Sequence, residues 1–182
     1  ARPIMVSRIL GGDPMGALQF NHGRQAEELI QAGVLQDLTA VAEAEGWREH
    51  TIYAGIGDAV EAVHATGHRL AVVTAKNEPH ARKIIATLPF GHRFEDIIGA
   101  TPDGRLSHKP ELIAEALSRL DARAEQCTMI GDRHLDIEGA LHHGMRGIGV
   151  LWGFGSEDEL RDAGAYALVR TPEALPALLL DA

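Results

Sequence analysis

Through most of the chain, short apolar runs rich in β-branched residues alternate with stretches whose apolar positions recur at helical spacing. His68-Arg69-Leu70-Ala71-Val72-Val73-Thr74 reads as a strand and Glu78 to Leu88 as the helix after it, with Asn77 as cap. Asp96-Ile97-Ile98-Gly99-Ala100 is a second strand, followed by the turn Thr101-Pro102-Asp103-Gly104. Pro110 opens a helix to about Leu120, Cys127-Thr128-Met129-Ile130 is a third strand, and Leu135 to His143 is helical, with Gly144 as its stop. Gly147-Ile148-Gly149-Val150-Leu151 is a fourth strand, Ser156-Glu157-Asp158-Glu159 a capping box and Ala165 to Val169 a fifth strand, and Thr171-Pro172-Glu173 starts the last helix. Strand and helix in regular alternation predict an α/β domain, a parallel sheet covered by helices.

The first fifty residues lack that rhythm. Asp13-Pro14 has the form of a cap followed by a first-turn proline, and Ala26 to Ile30 and Leu38 to Ala44 carry helical spacing. Residues 1–50 therefore read as a helical segment and 51–182 as the α/β body, entered through the Tyr53-Ala54-Gly55-Ile56-Gly57 linker and a helix from Asp58 to Thr66. Composition narrows the class: 45% of the 182 residues are hydrophobic, enough to bury a core, which argues against disorder. Lys and Arg number 17 against 26 Asp and Glu, a net charge of -9, which argues against nucleic-acid binding because phosphate contacts need clustered cations. One cysteine, Cys127, excludes an internal disulfide and a thiolate zinc site, and inside an apolar strand it reads as an inert core residue. With no apolar run near the roughly eighteen residues of a membrane span and no signal-peptide pattern, the expectation is a soluble, cytoplasmic protein without membrane partners. The sequence sets no oligomeric state.

Parallel sheets bind ligands beyond the carboxyl ends of their strands, which directs attention to Thr74, Lys109, Asp132 and Asp136. In Gly131-Asp132-Arg133-His134-Leu135-Asp136, glycine permits a sharp turn, one carboxylate follows the strand and a second lies one helical turn on. Two carboxylates so spaced suit magnesium, or they favour the N-terminus of the following helix; spacing alone leaves both readings open. Thr74 can donate to a phosphate oxygen, joined by the amides of Ala75 and Lys76, and Lys109 can neutralise phosphoryl charge. Each is also an ordinary strand-end threonine or surface lysine. Of the ten histidines, His142 and His143 point about 100° apart on a helix and suit its C-terminus better than a metal, and His134 stands at that helix's start. Glu27, Glu28 and Asp37 read as a solvated helical face, and Trp152 and Phe154 either pack under the sheet edge or shape the mouth of a site.

Threonine after one strand, lysine before a later helix and Gly-Asp-x-x-x-Asp after the next strand resemble, in that order, motifs two to four of the haloacid dehalogenase-like (HAD) hydrolase superfamily. Ser107-His108-Lys109-Pro110-Glu111-Leu112-Ile113, Met129-Ile130-Gly131-Asp132-Arg133, Asp136-Ile137-Glu138-Gly139-Ala140 and Val150-Leu151-Trp152-Gly153-Phe154-Gly155-Ser156 are similar to its phosphoglycolate phosphatase-like branch, over about residues 47–182. The resemblance implies a Rossmann-like three-layer parallel sheet, with the 1–50 segment as a helical, incomplete cap. It implies phosphate binding by Thr74 and Lys109, a magnesium ion on Asp132 with Asp136 supporting it, and phosphomonoester hydrolysis through an aspartyl-phosphate. The substrate would be a small phosphorylated metabolite, phosphoglycolate first and a nucleoside monophosphate second; a non-catalytic phosphate-binding or regulatory module is the alternative.

One motif is missing. The family's Asp-x-Asp-Gly-Thr, which supplies nucleophile and acid–base residue at the end of the first strand, is not found. The nearest string, Asp13-Pro14-Met15-Gly16-Ala17-Leu18, puts methionine at the acid–base position and alanine at the threonine, and methionine transfers no proton. Ser7 and Arg8 interrupt the apolar Ile4 to Leu10, unlike a strand buried on both faces, and burying an unpaired arginine costs several kcal/mol. The expectation is therefore that Asp13-Pro14 starts a cap helix and that the central strand, with the nucleophile, lies upstream of residue 1. A less favoured arrangement fills its place with Ile4 to Leu10 or another chain.

Overall fold

The computed structural model of the chain describes residues 2–7, 11–12 and 51–180. Two units are distinguished, Ala1–Leu10 with Tyr53–Ala182, and Gly11–Ile52. Within the second, β2 (Gly11–Gly12) pairs antiparallel with β3 (Thr51–Ile52). The cap-helix readings at Asp13-Pro14, Ala26 to Ile30 and Leu38 to Ala44, and the face carrying Glu27, Glu28 and Asp37, lie outside the described residues.

The first unit is built on a six-stranded sheet. Its strands are β1 (Pro3–Val6), β4 (Arg69–Asn77), β5 (Phe94–Ala100), β6 (Thr128–Gly131), β7 (Arg146–Val150) and β8 (Ala167–Val169), in the order β5-β4-β1-β6-β7-β8 and all parallel. Helices α1 (Ile56–Ala65), α2 (Glu78–Thr87), α3 (Lys109–Arg119), α4 (His134–His142), α5 (Glu157–Asp162) and α6 (Leu175–Leu180) accompany it. This is the three-layer Rossmann-like arrangement expected from the alternation of strand and helix.

The core lies on both faces of the sheet. Ile4, Val6, Leu70, Val72, Ile130 and Ile148 share one buried cluster with Ile56 and Val60 of α1 and Leu175 and Leu179 of α6. Met5, Ala71, Val73 and Met129 share the other with Leu112, Ile113 and Ala116 of α3 and Ala140 of α4. Successive residues of a strand face opposite sides, so a strand covered on both must be apolar throughout, which is why these runs were legible as strands.

The expected gap in the middle of the sheet is corrected. Pro3–Val6, part of the segment assigned to the cap, is the central strand: Val6 stands opposite Val72 on one side and Ile130 on the other. The strand ends at Val6, so Ser7 and Arg8 follow it and do not interrupt it. Ile4, Met5 and Val6 are at most 5% exposed, and each contributes about 1.5–3 kcal/mol by burial, enough to anchor a short strand.

Smaller corrections concern helix ends. Lys109 is the first residue of α3 and no longer in the loop before it, while Asn77 ends β4 and makes no side-chain cap bond to α2. Thr171 likewise makes none, and Pro172 opens a short 3-10 turn before α6. The Ser156 hydroxyl does accept from the Glu159 amide (3.1 Å), and Gly144 takes the left-handed conformation that stops α4, φ 73°. Asp121, just past α3, has φ 46°, which a side chain disfavours. Asp121→Gly is expected to raise the urea unfolding free energy by about 0.5–1 kcal/mol, and a fall would show that the aspartate side chain earns its position.

Candidate functional site

The site is assembled where the central strands end. The Ser7 amide donates to the Ile130 carbonyl (3.0 Å), continuing the β1–β6 ladder one step, so Ser7 leaves the sheet beside Gly131 and one residue short of Asp132. Thr74 lies within β4, one strand to the other side, and Lys109 reaches in from the first turn of α3. All four side chains are buried, Asp132 to 1% exposure.

Lys109 joins these elements. Its Nζ donates to the Val73 carbonyl (2.9 Å) and to Ser7 Oγ (3.2 Å), and it forms an ion pair with Asp136 Oδ1 (2.8 Å). Three protons thus meet three acceptors, the Ser7 hydroxyl being the most distant. The other oxygen of Asp136, Oδ2, accepts from the Arg133 amide (3.2 Å) and so caps α4. The Asp136 carboxylate thus caps α4, one of the two roles its spacing allowed, and also pairs with a buried lysine, so that both of its oxygens are engaged by the protein.

Asp132 Oδ2 accepts from the Phe154 amide (2.9 Å) in the loop after β7. Glycines make that approach possible: a Cβ on Gly153 would overlap the Asp132 side chain, one on Gly155 its carbonyl, and one on Gly131 the Asp136 side chain. Trp152 packs against the core cluster, the first of the roles considered for the pair, while Phe154 is exposed. Thr74 Oγ1 accepts from the Lys76 amide (3.2 Å), which leaves its hydroxyl proton to donate elsewhere.

Sequence reasoning missed two features. Ser7 was read as a break in a strand, although the first polar residue after an apolar triplet is also what a strand end looks like. Glu159 was seen only as part of a capping box. Its Oε1 accepts from Arg133 Nε (2.8 Å) and the His134 amide (3.0 Å) and lies 2.8 Å from His134 Nδ1, tying α5 to the turn that follows Asp132. Burial raises its carboxyl pKa, but the bonds from Arg133 and His134 outweigh that and hold it at about 2. His143 Nε2 lies 2.7 Å from the Pro110 carbonyl, tying α4 to α3, and burial pushes the Cys127 thiol up to about 11, which leaves it protonated and a poor nucleophile.

Among the described residues, no three His, Cys, Asp or Glu side chains gather as a metal site. Magnesium does not need such a cluster, because it keeps several waters and is commonly held by one or two carboxylates together with a substrate phosphate. Asp132, buried at a strand end, fits the lower of those counts.

Over residues 9–144 the chain matches the model of the haloacid dehalogenase-like hydrolase family. The chain belongs to that family. A HAD-like protein of Streptococcus pneumoniae superimposes with a TM-score of 0.83 at 21% identity, covering 98% of each chain, which shows the shared fold. The 5'-nucleotidase of Pseudomonas aeruginosa is 44% identical over 116 residues, 64% of this chain and 52% of the relative. Tyrosine-protein kinase PtkA of Mycobacterium tuberculosis is 38% identical over 136 residues, 75% of this chain and 45% of the relative. The chain thus spans about half the length of the curated relatives it matches. Among the described residues, no helix is long and apolar enough to cross a membrane.

Two outcomes test this geometry. Asp136→Asn strands the buried Lys109 ammonium among neutral acceptors and is expected to lower the urea unfolding free energy by about 3–5 kcal/mol at neutral pH; a loss below about 1 kcal/mol would show that the ion pair is dispensable. Glu159 sits below its ordinary 4.5 when folded, so the stability it adds is complete above that value and disappears as pH falls toward about 2. The stability difference between the native chain and Glu159→Gln, about 1–2 kcal/mol at neutral pH once solvent screening is allowed for, is expected to shrink steadily over that interval. A difference that stays constant from neutrality to pH 3 would mean the carboxylate is not held ionised by its partners.

Proposed function

We propose that this HAD core is a phosphomonoester hydrolase that binds the phosphate of a small metabolite at the carboxyl ends of β1, β4 and β6. The observation that carries the reading is the buried Lys109 ammonium, held between Ser7 at the end of the central strand and Asp136 on α4. A phosphate oxygen would take the place of the Ser7 hydroxyl on Lys109, the longest of its three contacts, while Thr74 donates its hydroxyl proton to a second oxygen. Asp132 would hold magnesium, which when bound supplies positive charge to the phosphate oxygens. Asp136 holds Lys109 in position, and Phe154, exposed in the loop whose amide meets Asp132, borders the entrance.

Phosphoglycolate and a nucleoside monophosphate are the two substrate candidates, the second supported by likeness to a 5'-nucleotidase. An aspartyl-phosphate needs a carboxylate nucleophile, and Ser7 at the strand end is a hydroxyl. Lys109 donates to the Ser7 hydroxyl and pairs with Asp136, so the contact it makes to that hydroxyl is a donor's and not a base's. Asp13, the nearest carboxylate in sequence with the form of the missing motif, lies outside the described residues. Ser7 therefore favours a second reading, a phosphate-binding module without aspartyl-phosphate chemistry.

Phosphate release from p-nitrophenyl phosphate, phosphoglycolate and adenosine monophosphate, with and without magnesium, separates the readings. The hydrolase predicts magnesium-dependent release that falls at least about 100-fold in Asp132→Asn and Lys109→Met. Binding of inorganic phosphate without turnover by the native chain would support the module, and absence of both would overturn the site.

A further inference from the structure

The strand that carries Thr74 jogs just beyond it. Gly99 and Ala100 are adjacent in β5, yet Thr74 and Asn77, their partners in β4, have Ala75 and Lys76 between them. A bulge of this kind breaks the ladder and re-aims the side chains beside it. Its near end is anchored twice: the Lys76 amide turns back to Thr74 Oγ1 (3.2 Å), and Lys109 Nζ holds the carbonyl of Val73, the residue before Thr74 (2.9 Å). Its far end folds over Gly99, where a Cβ would lie 2.5 Å from Glu78 Cα and 2.7 Å from the Lys76 carbonyl oxygen. There the buried Gly99 amide donates to Glu78 Oε2 (3.1 Å), a side-chain acceptor at the step where the ladder is broken. Two arginines keep that carboxylate in place, Arg82 Nη2 on Oε1 (2.8 Å) and Arg119 Nη1 on the same oxygen (3.1 Å), the second coming from α3, the helix that Lys109 opens.

We propose that Glu78 is a positioning residue for phosphate, its carboxylate on the Gly99 amide fixing the bulge that aims the Thr74 hydroxyl. The proposal rests on the phosphate-site reading above. A hydroxyl on so short a side chain takes its direction from the backbone that carries it, so a displacement of the bulge is a displacement of the donor. The acceptor matters here more than the charge. The Gly99 N–H needs an oxygen at one place, which an amide side chain also offers, whereas the arginines orient that oxygen and have Asp96 as a further partner, 2.7 Å from Arg82 and 3.7 Å from Arg119. Lys109 and Glu78 thereby fix the two ends of one segment, and the affinity for phosphate depends on both, although only Lys109 meets the ligand.

The test is titration calorimetry of the full chain with inorganic phosphate, in magnesium chloride and well below the unfolding temperature. Glu78→Ala is expected to weaken phosphate at least about fivefold, the loss of one hydrogen bond expressed in affinity. Glu78→Gln, which keeps an oxygen for the Gly99 amide, and Arg82→Gln, which removes an ion pair and leaves Glu78 in place, are expected to stay within about twofold of the native chain. A role confined to stability predicts otherwise: it lowers the unfolding temperature in all three and leaves the affinity of the folded chains alone. A Glu78→Ala chain that is folded by circular dichroism and binds phosphate within about twofold of the native chain overturns the positioning role and leaves the site reading standing. Glu78→Gln as weak as Glu78→Ala also overturns it, by assigning the effect to charge and not to the Gly99 contact. Should Glu78→Ala not fold, Glu78→Asp, whose carboxylate falls one methylene short of the amide, is held to the same limits. A native chain that binds no phosphate removes both the site reading and the positioning role.

Discussion

A lysine ammonium buried at the ends of β1 and β4 is the constraint around which this core is arranged. Desolvating such a charge costs several kcal/mol, so a structure that keeps it must surround it with acceptors in good geometry. Lys109 finds them on three separate elements: the Val73 carbonyl in β4, the Ser7 hydroxyl after β1, and Asp136 on α4. The central strand, its neighbour and two helices are thereby held in one relation. The stem of the lysine needs space as well, and Gly139 on α4 leaves it, since a Cβ there would lie 2.7 Å from the Lys109 Cγ.

The same logic of enforced proximity accounts for the glycines around the two aspartates. Gly131 admits Asp136 against the end of β6, and Gly153 and Gly155 admit the loop after β7 against Asp132. A carboxylate buried to 1% exposure must be met by donors, and the Phe154 amide is one that only a close backbone approach can deliver. Glu159 then secures the Arg133-His134 turn from outside. The residues that give the site its chemistry are few, but each depends on a small residue elsewhere that lets the backbone come near.

How much of this was legible follows from the range of the interactions involved. The flanking strands announce themselves because burial on both faces makes them continuously apolar, and Thr74, Lys109 and Asp132 are conspicuous as polar residues at their ends. The central strand was misjudged for a local reason: with four residues it is too short for a periodic signal, and Ser7 and Arg8 were counted as part of it. Asp136 could not be assigned from spacing, because its partner lies 27 positions earlier and the pairing depends on how α3 and α4 cross. The helix-cap expectations at Asn77 and Thr171 failed where the backbone supplied its own contacts, β4 running on into Asn77 and a 3-10 turn preceding α6.

The hydroxyl at the end of the central strand changes the electrostatics more than the packing. Serine and aspartate differ little in bulk at a strand end, and either can accept a bond from Lys109. A carboxylate there would set two anions, itself and Asp136, beside one ammonium. With Ser7, the Lys109–Asp136 pair closes on itself, and Asp132 stands apart from it with the Phe154 amide on its Oδ2. The fold, the lysine and the glycine-framed carboxylate are therefore compatible with phosphate recognition in both cases, while aspartyl-phosphate chemistry at this position needs the carboxylate. Fold membership does not distinguish these possibilities, because they differ by one side chain in a backbone that stays the same.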